Sequence, residues 1–414
     1  MDIPGLPARK GALKLLDAVL RRGETLDAAA NAALLGVKGQ ADRALARALA
    51  GEALRWLTDL DALIDSATRL VLADDAKVRS VLRLMLAGWL RLETPPHAVI
   101  ATGLPLLIGG PRRLAHGVFS ALSKRGVTLP PSPTLPADVA ARWGERAAAI
   151  AAGLGDLPPL DLSLRDPATT AEWAERLGGV SLAPGHLRLP RGTAVENLEG
   201  YDAGAWWVQD LAASIPARLL GAGAEDSGGR RVLDLCAAPG GKTLQLAAAG
   251  WQVTALDNSA KRLQRLAQNL ARTGLEAETV LADALTWEPD EPFDAVLLDA
   301  PCTATGTCRR HPDVIHRIGP RQIAEMAEFQ NGLLERAAGW VKPGGQLVFA
   351  VCSLEREEGE AQAAGVRLNP VPIGADELPT GLAPSADGWL RTDPGMLAGQ
   401  GGLDGFFIAR WQRD

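Results

Sequence analysis

This sequence is short of several things, and each shortage excludes a class of protein. Cysteine is rare, with four in 414 residues. Those four, Cys236, Cys302, Cys308 and Cys352, all fall in the second half of the chain. A disulfide scaffold would spread its cysteines through a small secreted chain, so buried or reactive thiols are expected instead. No apolar run approaches the roughly 18 residues needed to cross a bilayer. The opening Met1-Asp2-Ile3-Pro4-Gly5 lacks the basic and apolar regions of a signal peptide. A cytoplasmic chain that avoids membranes is expected, with no metal site.

What is present is a large apolar fraction, 47% of residues, enough for full cores. At about 100–200 residues per domain, two or three domains are expected. The net charge of −6 is unevenly spread. Residues 1–129 hold 18 Lys and Arg against 12 Asp and Glu, whereas the remainder is strongly acidic. Two readings stand: the first domain meets a polyanion, or this is an ordinary solvated surface.

Residues 8–125 read as helices. Leu15, Leu16, Val19 and Leu20 form one apolar face before Gly23, and Leu45, Ala48 and Leu49 form another that continues towards Trp56. Val81, Leu82, Met85 and Leu86 form a third, and Val118 and Leu122 lie on a last short helix before Gly126. Pro95-Pro96 and Gly109-Gly110-Pro111 mark turns between helices. The run Leu129-Pro130-Pro131-Ser132-Pro133-Thr134-Leu135-Pro136 reads as a semi-rigid linker. Beyond it an Ala-rich helix is expected over 138–152, with Asp138 as its N-cap. Strands over 160–165 and 186–189 flank a helix at Thr170–Leu177, making a small α/β subdomain. Arg188, Arg191 and the pair Trp206-Trp207 either stack on bases or seal one subdomain against another.

The most informative stretch is Val232-Leu233-Asp234-Leu235-Cys236-Ala237-Ala238-Pro239-Gly240-Gly241-Lys242-Thr243. A short apolar strand breaks into a glycine turn that opens a helix, the nucleotide-binding corner of a doubly wound sheet. A triphosphate-binding loop would need a glycine where Cys236 stands, so a nucleoside cofactor such as S-adenosylmethionine is favoured. The next strand ends in Asp257, placed to accept hydrogen bonds from ribose hydroxyls. Ser259 caps the following helix and Gly274 stops it. A short strand then leads to Asp283, which either meets the adenine amino group or serves as a turn aspartate.

The fourth strand, 293–298, ends in Asp299-Ala300-Pro301-Cys302, and the fifth, 346–351, ends in Cys352-Ser353. In a sheet ordered 3-2-1-4-5 these two ends are neighbours, which would gather Asp299, Cys302 and Cys352. That trio suits cytosine methylation. Cytosine C5 is too poor a nucleophile to take a methyl group unaided, but a thiolate adding to C6, with proton donation at N3, makes an enamine that can. A second group must then help the C5 proton leave and release the enzyme. Lys242, Arg309 or Arg310 would offset the carboxylate beside the thiols. Cys236 and Cys308 read as buried small residues.

Asp234-x-Cys236-Ala-Ala-Pro-Gly-Gly-Lys242-Thr, Asp299-Ala-Pro-Cys302-Thr-x-Thr-Gly, Arg309-Arg310-His311-Pro312-Asp313, Cys352-Ser353-Leu354 and Asp404-Gly405-Phe406-Phe407 together resemble the RNA 5-methylcytosine methyltransferases of the Nol1/Nop2/Sun family. Arg43-Ala44-Leu45 with 51–55 and 82–86 resembles the RNA-binding helical domain of NusB. The resemblance implies a multidomain chain: an all-α NusB-like bundle (1–129), a linker (130–136), a small α/β subdomain (137–225) and a Rossmann-like methyltransferase domain (226–414). It implies S-adenosylmethionine held by Cys236, Ala237, Ala238, Pro239, Gly240, Gly241, Lys242, Asp257, Arg262, Asp283 and Asp299. It implies Cys352 as the nucleophile, Cys302 as the thiol that assists release and Asp299 as the carboxyl partner. A cytosine in 16S (small-subunit) rRNA before full assembly is the implied substrate, and a monomer the implied state. Three positions depart from the family pattern: Val351 for Thr, Gly359 for Asn between Glu358 and Glu360, and His316 for an aromatic residue. The alternatives are the same chemistry on tRNA or another nucleic acid, and a non-catalytic RNA-binding assembly factor.

Overall fold

The computed structural model describes residues 3–191, 194–223 and 229–414. It divides into two compact units: the chain up to Asp156 together with Cys308–Ile318, and Leu157–Thr307 together with Gly319–Asp414. The expected boundary at 225/226 lies outside the described residues.

The first unit is helical. Leu6–Arg22 buries Ala8, Ala12, Leu15, Leu16 and Val19 along one face. It stops at Gly23, whose φ of 67° turns its amide back onto the carbonyls of Ala18 and Val19. Gln40–Arg55 and Lys77–Leu90 complete the core with Leu26–Ala33, Leu57–Asp65, Pro96–Gly103 and Gly109–Arg125. Arg79 and Arg83 lie on the buried helix Lys77–Leu90, yet each is held bidentately, by Asp65 (2.6 and 3.0 Å) and Asp61 (2.7 and 2.7 Å). Burial without those partners would be strongly unfavourable.

Several expectations need correction here. Gly109-Gly110-Pro111 is the first turn of a 17-residue helix, not a turn between helices. Proline is tolerated there because first-turn positions lack an intrahelical acceptor for their N–H. The proline run is not a free linker: the Thr134 amide and hydroxyl both donate to Asp59, at 2.9 and 2.6 Å. The following helix is broken into Ala137–Trp143 and Ala147–Ala152 by Gly144, at φ 55°. Asp138 sits inside its first turn, paired with Arg142, rather than capping it. All of this belongs to the first unit, so the division falls after Asp156 rather than at 130–136.

In the second unit, β1 (Leu160–Leu164), β2 (His186–Leu189) and β3 (Trp206–Val208) form an antiparallel sheet in the order β2-β1-β3. Thr170–Leu177 covers it. Trp206 and Trp207 are buried, and Arg188 is buried and held by both oxygens of Asp161 at 2.7 Å. These three side chains seal the subdomain and are not a base-stacking surface, because their faces and charge are already satisfied; Arg191 is exposed.

The main sheet contains β4 (Arg231–Leu235), β5 (Gln252–Asp257), β6 (Glu278–Leu281), β7 (Phe293–Asp299), β8 (Val341–Val351), β9 (Asn369–Pro370), β10 (Leu390–Arg391) and β11 (Phe407–Gln412). Its order is β10-β11-β8-β7-β4-β5-β6, with β9 paired to β11. The five strands β6-β5-β4-β7-β8 are parallel, in the expected 3-2-1-4-5 order, and β11 runs antiparallel beside β8. Both faces are covered, which is why the strands read as continuous apolar runs. Ala295 and Leu297 of β7 pack into one core with Val348 and Ala350. Val296 and Leu298 pack into the opposite one with Leu347 and Phe349. The layout is a helical unit and a unit built on a mainly parallel, doubly wound sheet, and among the described residues no helix is long and apolar enough to cross a membrane.

Candidate functional site

The site is built from the carboxyl ends of parallel strands. At the end of β4 the chain turns through Cys236, at φ 61°, and Gly240, at φ 110°, before the helix Gly241–Ala248 begins. A side chain at Gly240 would collide with Leu266, so the turn requires glycine there for space as well as conformation. Asp234 anchors the turn from beneath: the Thr243 hydroxyl donates to it at 2.6 Å, tying the strand to the helix it precedes. Burial pushes the Asp234 carboxyl up to about 7.

Asp257 ends β5. Its carboxylate accepts from the Ser259 amide at 2.8 Å and the Ala238 amide at 3.3 Å, and Arg262 lies 3.0 Å away. Asp257 thereby fixes the Ala237–Pro239 stretch relative to the next helix, which Ser259 caps. Asp283 is exposed and accepts the Leu285 amide at 2.9 Å, the geometry of a turn aspartate at the end of β6. Asp299 ends β7 in register with Ala350 of β8, two residues before Cys352. Lys242 reaches across from the helix start and donates to Asp299 at 2.7 Å.

The two cysteines meet. Cys302 Sγ and Cys352 Sγ are 3.4 Å apart. The segments that carry them are stitched together by bonds the sequence did not disclose. Glu358, fully buried, accepts the Thr303 amide at 3.1 and 3.2 Å and the Thr303 hydroxyl at 3.2 Å. The Ser353 hydroxyl lies 3.3 Å from that of Thr303 and 3.2 Å from that of Thr305. The Gly306 amide donates to the Cys352 carbonyl at 3.0 Å, and the Gly405 amide donates to the Gly306 carbonyl at 2.8 Å. A side chain at Gly306 would collide with Gly405 and sit 2.9 Å from the Cys352 carbonyl oxygen. The thiol pair therefore rests on a rigid backbone cradle.

The hydrogen bond with Cys352, then burial, raises the Cys302 thiol well above its ordinary value, so Cys302 keeps its proton. Cys236 is pushed up to about 12 by burial and the surrounding carboxylates, which leaves it an inert packing residue. Burial also raises Glu358, against the bonds from Thr303.

Arg309 and Arg310 fall in the segment that packs with the first unit, where the Arg309 carbonyl accepts from Arg55 at 2.8 Å. The cation at Asp299 is Lys242. His316 belongs to the same segment, its Nε2 2.7 Å from the Leu54 carbonyl, which accounts for a ring nitrogen where an aromatic residue was expected. Gly359 also has a structural reason. A side chain there would collide with Arg391 and come within 2.8 Å of the Phe407 ring. Arg391 fills that space, bonded to Glu360 and to the Ser353 carbonyl beside Cys352.

The chain's similarities agree with this geometry. Residues 224–412 match the family model described as 16S rRNA methyltransferase RsmB/F, and residues 6–106 match the NusB family. The chain is 32% identical to the ribosomal RNA small subunit methyltransferase B of Xanthomonas campestris, over 98% of this chain and 97% of that one. Among solved structures, PH0851 superposes with a TM-score of 0.71 at 22% identity, over 100% of both chains. A methyltransferase homolog protein from Pyrococcus horikoshii gives 0.55 at 25% identity, over 67% of this chain and 93% of that one. Similarity that extends over the helical unit and the strand-end site alike shows that this chain belongs to the 16S rRNA methyltransferase RsmB/F family.

Proposed function

We propose that the protein transfers a methyl group from S-adenosylmethionine to C5 of one cytosine in 16S rRNA, in the cytoplasm, as a monomer, before the small subunit is fully assembled. The observation that carries this reading is the thiol pair, 3.4 Å apart, beside the strand end that carries Asp299. The small-subunit rRNA named for the relative from Xanthomonas supports the choice of RNA.

The corner at β4 fits a nucleoside cofactor. The chain turns there through Cys236 and Gly240, both at positive φ, into a helix start, and Asp257 offers a carboxylate at the next strand end. Residues 236–242, with Asp257, Arg262, Asp283 and Asp299, would hold S-adenosylmethionine, which supplies an electrophilic methyl group. Cys352 adds to C6 of cytosine as the thiolate, N3 takes a proton from the Lys242–Asp299 pair, and the electron pair arrives at C5, which takes the methyl group as N3 returns that proton to the pair. Asp299, neutralised by Lys242, faces the base's polar edge. The C5 proton then leaves, and the returning pair breaks the C6–S bond and regenerates the Cys352 thiolate.

Cys302 gains a timed role in this sequence. Its thiol is held protonated chiefly by the Cys352 sulfur. Once that sulfur is bonded to C6 its share of the restraint is gone while that of burial and Glu358 remains, so Cys302 gives up its proton more readily than in the free pair at the stage where a base is needed. The test is transfer of labelled methyl groups to protein-free 16S rRNA, followed by mapping of 5-methylcytosine. Labelling of tRNA but not 16S rRNA would overturn the substrate, and no labelling of either would overturn the activity.

A further inference from the structure

The helix Gly109–Arg125 carries more unopposed charge than any role in packing requires. It begins beyond the NusB match, which ends at residue 106. Its core face is Ala115, Val118, Phe119 and Leu122. The opposite face presents two adjacent rows at four-residue spacing: Arg112, His116, Ser120, Lys124 and Arg113, Gly117, Ala121, Arg125. All are exposed except Ser120, which is half-buried.

Neutralisation is missing throughout this region. No Asp or Glu occurs between Glu93 and Asp138. The buried helix it packs against, Lys77–Leu90, has none either. Arg125 donates to the Ser66 carbonyl and hydroxyl, and the neighbouring Asp65 is already held by Arg79. Among the described residues, Arg112, Arg113, His116 and Lys124 make no ion pair or side-chain hydrogen bond, in contrast to Arg22, Arg47, Arg79, Arg83 and Arg91, which are all paired with carboxylates. Lys124 and Arg125 suit the negative end of the helix dipole, but Arg112 and Arg113 stand at its positive end, where cations are unfavourable. Helix stability therefore does not explain them.

We infer that this face is an RNA-backbone docking surface, on which Arg112, Arg113, Lys124 and Arg125 take phosphates. The inference rests on the methyltransferase reading for its choice of RNA. From Arg112 to Arg125 the helix rises about 20 Å, a span of several consecutive phosphates. Gly117 and Ala121 keep the row between Arg113 and Arg125 low, so a backbone can lie along it. Contacts of this kind set register and affinity, not sequence choice.

The test compares two triple variants of the full chain. One is Arg112→Gln, Arg113→Gln, Lys124→Gln, and the other neutralises exposed cations elsewhere on the same unit, Lys14→Gln, Lys38→Gln, Arg43→Gln. Binding to a protein-free 16S rRNA fragment is measured against salt, with S-adenosylmethionine binding as the folding control. The slope of log affinity against log salt should fall by about 2–3 in the first variant, at roughly 0.7–0.9 per lost phosphate contact, and stay near the parent's in the second. An unchanged slope in the first variant, or equal losses in both, would overturn the surface. Failure of the parent to methylate 16S rRNA would instead count against the activity, since the slopes do not depend on turnover.

Discussion

Cys302 Sγ and Cys352 Sγ stand 3.4 Å apart although 50 residues separate them in the chain. Neighbouring parallel strands place them, and Glu358 fastens the turn after one to the turn after the other. Cys352→Ala should abolish methyl transfer while leaving cofactor binding nearly intact, because the change removes a thiol and little volume. Cys302→Ala should still attack and methylate, then stall with RNA bound through Cys352. Denaturing electrophoresis should show that adduct for Cys302→Ala and none for the double variant. An adduct that needs Cys302 would reverse the roles.

Gly359 and Arg391 form a matched pair. Gly359→Ala should cost about 1–3 kcal/mol through overpacking against Arg391 and Phe407, and should slow methyl transfer because Arg391 also holds the Ser353 carbonyl. Combining it with Arg391→Ala should recover part of the stability. Denaturant unfolding of the four proteins measures the coupling, and strict additivity would mean that the two positions do not share the space.

Asp257→Ala should weaken S-adenosylmethionine binding by about 1–3 kcal/mol, the cost of losing hydrogen bonds to a charged acceptor. Calorimetric titration decides this. Equal affinities would place the ribose elsewhere.

Asp161 gives a pH signature to the small subdomain. Burial alone would raise its carboxyl, but the bonds from Arg188, with His186 3.4 Å away, overcome that and hold it at about 2. Its folded value lies below the unfolded one, so its stabilisation is present above about pH 4 and is lost as pH falls towards 2. Asp161→Asn should therefore be less stable than the parent at pH 7, by about 3–5 kcal/mol if the buried Arg188 is left unpaired. The gap should narrow as the pH is lowered from 5, as followed by urea unfolding. Parallel curves would mean that Asp161 does not carry its charge in the folded protein.

Much of this protein was legible in one dimension because its signals are local. Strand, turn and helix at 232–248 follow from an apolar run and two glycines, and Ser259 and Gly274 bound their helix as their chemistry requires. The parallel strands themselves were also legible, since covered strands lack the polar alternation of a half-exposed sheet, and their order is the one assumed for a doubly wound sheet. Other features depended on partners distant in the chain. Prolines at 130–136 look like a linker until Asp59 is found to hold Thr134. Nothing in the sequence near Arg309 says that its carbonyl takes Arg55, 254 residues away. Nothing near Glu358 or Gly306 announces that one clamps Thr303 and the other lies against Gly405. Residue type and spacing determine which groups the chain possesses and the elements that carry them. Only tertiary packing decides which buried polar group finds which partner, because a satisfied hydrogen bond or ion pair is a property of two places in the chain at once.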